Sequence, residues 1–283
     1  METKNQEAAI QNAYRKIALL AGILLITTGI IILVDQNLQT GWLSQITVAA
    51  AGILLLASGI HLKKMLLMTF GSLFAGIGIG SFVAMYPDIL PTWGGRIGVG
   101  LVSLSFSCIL LFPLSITVLN QRHWWPLLPG GIIGGLSLCF LTNSLEPLDF
   151  IFFIGIGTSL PLLFWGTFNR LFGLIIPGSL LLGIVPGIYL AWGEIIEKSG
   201  LAQTGIMLVC FAFGWILITL FSRAITEKIV WWPLIPGGIL GMVGWGLYIG
   251  GNPGNALSFI GNTGSITLII FGLYLILLRR GIE

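Results

Sequence analysis

Ten stretches of roughly 20 residues, each almost free of charge, follow one another along this chain of 283 residues, and a chain patterned in this way has few ways to fold. The runs fall near residues 17–34, 43–61, 65–86, 96–119, 126–142, 149–168, 171–192, 202–222, 231–250 and 257–278. A run of that length matches the hydrocarbon core of a bilayer when helical, and lipid leaves backbone polar groups no partner outside a helix or a closed barrel. Composition agrees, since 56% of residues are hydrophobic and 8% charged, too little charge for a water-soluble globule of this length. The expected fold is all-α, a polytopic membrane helix bundle of about ten transmembrane helices. The first run lacks a small-residue cleavage site and is read as a retained anchor behind a polar tail, residues 1–16.

Cationic residues give this arrangement an orientation. Lys4, Arg15, Lys16, Lys63, Lys64, Arg122, Arg170, Arg223, Lys228, Arg279 and Arg280 fall on one side of the alternating connections, and only Arg96 and Lys198 on the other. Because Lys and Arg are retained in the cytoplasm during insertion, both termini are expected there. The opposite side carries Asp35, Asp88, Glu146, Asp149, Glu194 and Glu197, read as a solvated rim.

The chain also repeats itself. Trp124-Trp125-Pro126-Leu127-Leu128-Pro129-Gly130-Gly131-Ile132 recurs, with one Leu-to-Ile change, as Trp231-Trp232-Pro233-Leu234-Ile235-Pro236-Gly237-Gly238-Ile239, an offset of 107 residues. The same offset carries Gly71-Ser72-Leu73 onto Gly178-Ser179-Leu180, Gly76 onto Gly183, Gly80 onto Gly187, and Gly98 and Phe106 onto Gly205 and Phe213. These matches predict a tandem duplication of a four-helix unit, residues 63–169 and 170–283, built from helical-hairpin repeats and preceded by a more diverged transmembrane hairpin at 17–62. An even number of spans per copy gives both the same orientation, with a symmetry axis near the membrane normal.

Within the repeats, Ser72, Gly76, Gly80 and Ala84 recur every fourth residue, as do Ser179, Gly183, Gly187 and Ala191. Related columns read Gly131, Gly135, Cys139 and Asn143, and Gly238, Met242, Gly246 and Gly250. Small residues at this spacing let helix backbones approach closely in lipid, which predicts packing within or between subunits; a backbone-lined solute path is the alternative. The Trp pairs sit at span ends, where indoles favour the headgroup level, with Pro126 and Pro233 expected in the first helical turn. Pro161, Pro177 and Pro186 lie deep in apolar runs and are expected to bend or break their helices.

No catalytic, cofactor-binding or metal-ligating residue is assigned. The centres of the spans hold no Asp, Glu, Lys, Arg or His, which argues against coupling to protons or sodium. Asn262, Thr263 and Ser265 form the most polar intramembrane cluster. His61 and His123 stand at span ends among cations, and Cys108, Cys139 and Cys210 are unpaired in spacing and read as packing residues. Nucleic acid is not an expected partner, because the cations line the cytoplasmic face of the membrane.

The Trp231–Gly238 segment resembles bacterial multi-hairpin integral membrane proteins, and Leu20-Ala21-Gly22-Ile23-Leu24-Leu25 is loosely similar to the hairpins of LiaF-type stress-response modules and HdeD-like acid-resistance proteins. The resemblance implies a bacterial cytoplasmic membrane and an envelope-stress or scaffolding role. The expected function is a non-catalytic membrane scaffold or accessory component that contacts membrane lipids and a protein partner, or a second copy, through its small-residue faces. The alternative is an ion-independent facilitator for a neutral or lipidic small molecule.

Overall fold

The computed structural model describes residues 26–85, 91–143, 145–193, 199–226 and 230–250, with Leu19, Gly22, Ile23, Gly254 and the pieces 257–259, 261–265 and 268–269. All regular structure among the described residues is helical. The helices are α1 (Ile26–Leu38), α2 (Leu43–Leu62), α3 (Met65–Ala84), α4 (Trp93–Leu119), α5 (Leu127–Leu141), α6 (Pro147–Phe168), α7 (Phe172–Trp192), α8 (Gly200–Thr226) and α9 (Leu234–Gly250). Each apolar run expected between residues 43 and 250 coincides with one of α2 to α9 to within a few residues. The ends of the first and last runs lie partly outside the described residues.

Six helices, α2, α3, α4, α6, α7 and α8, are long and apolar enough to cross a membrane. With 15 and 17 residues, α5 and α9 extend only about 22 and 25 Å at the helical rise, against roughly 30 Å of hydrocarbon. Both start late for the same reason: the chain from Trp124 and Trp231 forms a turn, closed by Leu127 N–H to Trp124 C=O and Leu234 N–H to Trp231 C=O at 3.0 Å, before the helix begins.

The chain forms two compact units, Met1–Asn143 and Ser144–Glu283. In the first, α2 packs on α3, α3 on α4 and α4 on α5; in the second, α6 packs on α7, α7 on α8 and α8 on α9, with slight contact of α6 to α8. Within each unit the described helices thus pack chiefly as a row of sequence neighbours. The reason lies in where the glycines point. On α3, a Cβ added at Gly71 or Gly78 would collide with the α2 backbone at Leu56 or Ala49, whereas one at Gly76 or Gly80 would meet Ser107 or Gly100 of α4. A helix with close-approach sites on two faces takes one neighbour on each, and in lipid such contacts carry much of the association energy.

Contacts recur at the offset seen in the sequence. Gly59 faces Met68 and Gly166 faces Ile175; Gly71 faces Leu56 and Gly178 faces Leu163; Gly98 faces Leu141 and Gly205 faces Tyr248; Gly130 faces Cys108 and Ile109 while Gly237 faces Trp215 and Ile216. Every member of the second set lies 107 residues after its counterpart. The correspondence reaches back to Leu56 in α2, inside the hairpin set apart above.

Helix ends follow the same pairing. Lys63 and Arg170 adopt left-handed backbones, φ 53° and 56°, where glycine is the usual residue. Lys64 N–H and Leu171 N–H then close onto Gly59 C=O (3.0 Å) and Gly166 C=O (2.8 Å). A cation at a helix C-terminus also meets the negative end of the dipole.

The expected breaks at Pro161, Pro177 and Pro186 do not occur: α6 and α7 run continuously through them. Each proline removes one intrahelical bond, and neighbouring helices hold the chain on its helical path.

Candidate functional site

Two features stand out as built sites, the Trp-Trp-Pro junctions and a groove along α9. At each junction the pattern is polar chain exit, exposed indoles, then buried proline. Pro126 and Pro233 are fully buried, while Trp124, Trp125, Trp231 and Trp232 are exposed. The helix begins one residue after each proline, so Pro126 serves as the N-cap and not as a first-turn residue. What orients the junction is a serine that sequence reading passed over. Ser115 Oγ, fully buried near the end of α4, donates to Phe112 C=O (2.8 Å) and accepts from His123 N–H (3.4 Å). Ser222 Oγ on α8 likewise donates to Thr219 C=O (2.7 Å) and accepts from Val230 N–H (3.1 Å). The hydroxyl latches the returning chain to the helix it has left and aims the tryptophans outward. The signal available in the sequence was the shared 107-residue offset of Ser115 and Ser222.

The groove has a volume of about 530 Å³ and is lined by Ile235, Gly238, Ile239, Met242 and Trp245 of α9 with Phe259 and Thr263. Of the polar cluster anticipated near residue 263, Thr263 reaches this wall, Asn262 is exposed, and Ser265 Oγ donates to its own helix at Gly261 C=O (2.8 Å). The small-residue column of α9 divides here. Gly246 and Gly250 are buried, whereas Gly238 is exposed and a Cβ built on it meets nothing within 4 Å. By contrast Ser72, Gly76 and Gly80, and Ser179, Gly183, Gly187 and Ala191, are buried against neighbouring helices of their own unit. Ala84 is only half-buried.

Two acidic residues read as rim are instead buried. Asp35 is 4% exposed and caps the start of α2, accepting from Thr40 Oγ1, Gly41 N–H (3.0 Å) and Ser44 N–H (2.9 Å). Hydrogen bonding from Ser44 and then Thr40, joined by the Ser44 and Gly41 amides, outweighs burial and lowers its carboxyl from the ordinary 3.8 to about 2. Asp149 is buried in the first turn of α6, where the helix dipole favours an anion, and is hydrogen-bonded by Tyr189 of α7. The Tyr189 ring packs on Phe152 with centroids 4.7 Å apart. Glu146 is exposed; Asp88, Glu194 and Glu197 lie outside the described residues.

His61 is exposed in the last turn of α2, and His123 is half-buried in the α4–α5 connection. Cys108 and Cys139 are buried and Cys210 half-buried, all as free thiols. No three His, Cys, Asp or Glu among the described residues gather into a metal-ligand group. Comparison with protein-family models, curated proteins and solved structures finds no match to this chain.

Proposed function

We propose that this is a non-catalytic, multi-pass protein of a bacterial cytoplasmic membrane that acts as a scaffold or accessory component, its hairpins playing the envelope-stress or structural part that their LiaF-like and HdeD-like resemblance implies. In this reading the chain crosses the bilayer about ten times with both termini in the cytoplasm, and residues 63–169 and 170–283 descend from one duplicated four-helix unit. The observation that carries it is the matched set of interhelical glycine contacts, Gly76 on Ser107 with Gly183 on Gly214, and Gly80 on Gly100 with Gly187 on Met207 and Cys210. These positions serve tight helix association, which needs neither a cofactor nor a moving charge.

Since the small-residue stripes on α3 and α7 are occupied inside their own units, a protein partner or second copy meets the aliphatic and aromatic outer faces, which expose Phe70, Phe106, Phe164 and Phe213. The facilitator reading keeps one supporting observation, the open apolar groove along α9. Reconstitution into liposomes separates the readings. A scaffold gives proton flux and lipid scrambling equal to empty vesicles; scrambling or saturable passive flux promotes the facilitator, and uptake driven by a proton gradient overturns both. A reporter fused at Asn143 is expected outside the cell membrane and one at Arg223 inside.

A further inference from the structure

We infer that the groove along α9 binds one acyl chain of an anionic phospholipid from the surrounding bilayer, with the lipid phosphate held at the Arg223 end of the helix pair α8–α9. This rests on the reading of α9 as membrane-embedded. The lining is apolar and runs along one face from Ile235 to Trp245, about 15 Å at the helical rise, so the groove is elongated along the helix as an acyl chain is. It opens outward: Ile235, Ile239 and Trp245 are exposed, and Gly238 leaves free space at its floor. Two features supply charge and depth. The groove starts one residue into α9, immediately after the exposed Trp231 and Trp232, which mark the headgroup level. Arg223 is exposed in the last turn of α8 at that same end. A cation at the end of an apolar track where the indoles stand suits an anionic headgroup above its own chain, and juxtamembrane Lys and Arg attract such lipids. The matching stretch of α5 reads Leu128, Gly131, Ile132, Gly135 and Leu138, so glycine stands where α9 has Met242, and leucine where it has Trp245.

The test uses the full chain in phosphatidylcholine vesicles doped with a phosphatidylglycerol carrying a photoreactive acyl terminus, with labelled peptides mapped by mass spectrometry. Label is expected to concentrate at residues 239–245, to be competed by plain phosphatidylglycerol better than by phosphatidylcholine, and to fall severalfold in Gly238→Trp, whose side chain fills the groove. The face of α4 that exposes Val102, Phe106 and Ile109 provides the reference for bulk lipid. Equal labelling of both faces, or no preference for the anionic competitor on wild-type protein, overturns the inference without recourse to any variant. If neither helix is labelled, the membrane reading fails with it. Arg223→Gln is expected to abolish the headgroup preference while leaving labelling by phosphatidylcholine analogues. A photoreactive residue at position 239 that joins two chains in place of a lipid assigns the groove to a second copy and overturns the proposal.

Discussion

The α3–α4 and α7–α8 pairs place the same helix positions together with different chemistry. Gly76 meets the Ser107 side chain and lies near Ser103 C=O, whereas Gly183 meets the bare backbone of Gly214, whose N and Cα would stand 2.7 Å from an added Cβ. Next along each row, Ser105 Oγ donates to Gly130 C=O (2.7 Å), while its counterpart Ala212 makes only apolar contact with Gly241. At the following step, Cys108 of α4 gives way to Trp215 of α8, which lies edge-on to Trp232 with centroids 5.7 Å apart. The geometry is common to both and the side-chain chemistry is not, which identifies backbone proximity over small residues as the element both rows require. A buried hydrogen bond is an addition to that geometry and not its cause.

The comparison is tested hardest by Gly183→Leu against Gly76→Leu. Backbone cannot yield as a serine rotamer can, so Gly183→Leu is expected to cost about 3 kcal/mol or more, and Gly76→Leu about 1–2 kcal/mol, by the usual cost of overpacking. Thermal unfolding of each variant in one detergent measures the difference; equal losses would mean that the two contacts are not distinguished by what faces the glycine. Next in size are the latches. Ser222→Ala and Ser115→Ala each remove the partner of a part-buried N–H, for an expected loss of about 1 kcal/mol, larger for Ser222 because its bond is shorter. Tryptophan fluorescence should shift in the same variants as the indoles lose their orientation, and a loss of stability without that shift would leave the latch with no role in aiming them.

Ser105→Ala converts the first row to the chemistry already present in the second, and is expected to cost only about 0.6 kcal/mol, the average for such bonds in membrane proteins. A loss comparable with the glycine variants would reverse the lesson drawn from Ala212.

The smallest effect at neutral pH concerns Asp35. A carboxyl lowered to about 2 in the folded chain contributes stability that is fully present above the ordinary carboxyl range and is lost as pH falls toward 2. Protection of the Gly41 and Ser44 amides from hydrogen exchange, taken relative to the unstructured chain at each pH, should therefore fall between pH 4 and pH 2 in wild type, and Asp35→Asn should flatten that fall. Equal acid sensitivity in wild type and variant would remove the carboxylate from the account.

Much of this was legible from residues alone. Uninterrupted apolar runs announced α2 to α9, and an offset read from Trp124 and Trp231 also predicts the partners of Gly71 and Gly178. Asp35 and Asp149 were misread because acidic residues near span ends are usually solvated, and nothing local reveals that Ser44 and Tyr189 will reach them. Ser115 and Ser222 were missed because a serine inside a helix normally bonds its own helix, as both also do. Pro161, Pro177 and Pro186 leave their helices unbroken because the cost of a missing intrahelical bond depends on neighbours that the sequence does not show.

By itself the sequence determined the helical character, the boundaries of the long helices and the periodic placement of small residues, since compatibility with lipid and helical periodicity are properties of short stretches. Tertiary structure alone decided that the inner helices of each row would take one neighbour on each of two faces, that the small-residue stripes of α3 and α7 would be used up within a unit, and that Gly238 would floor a groove while Gly237 beside it packs on Trp215. Which face a residue meets depends on groups distant in sequence, and a glycine reads the same whether it touches a backbone or open lipid.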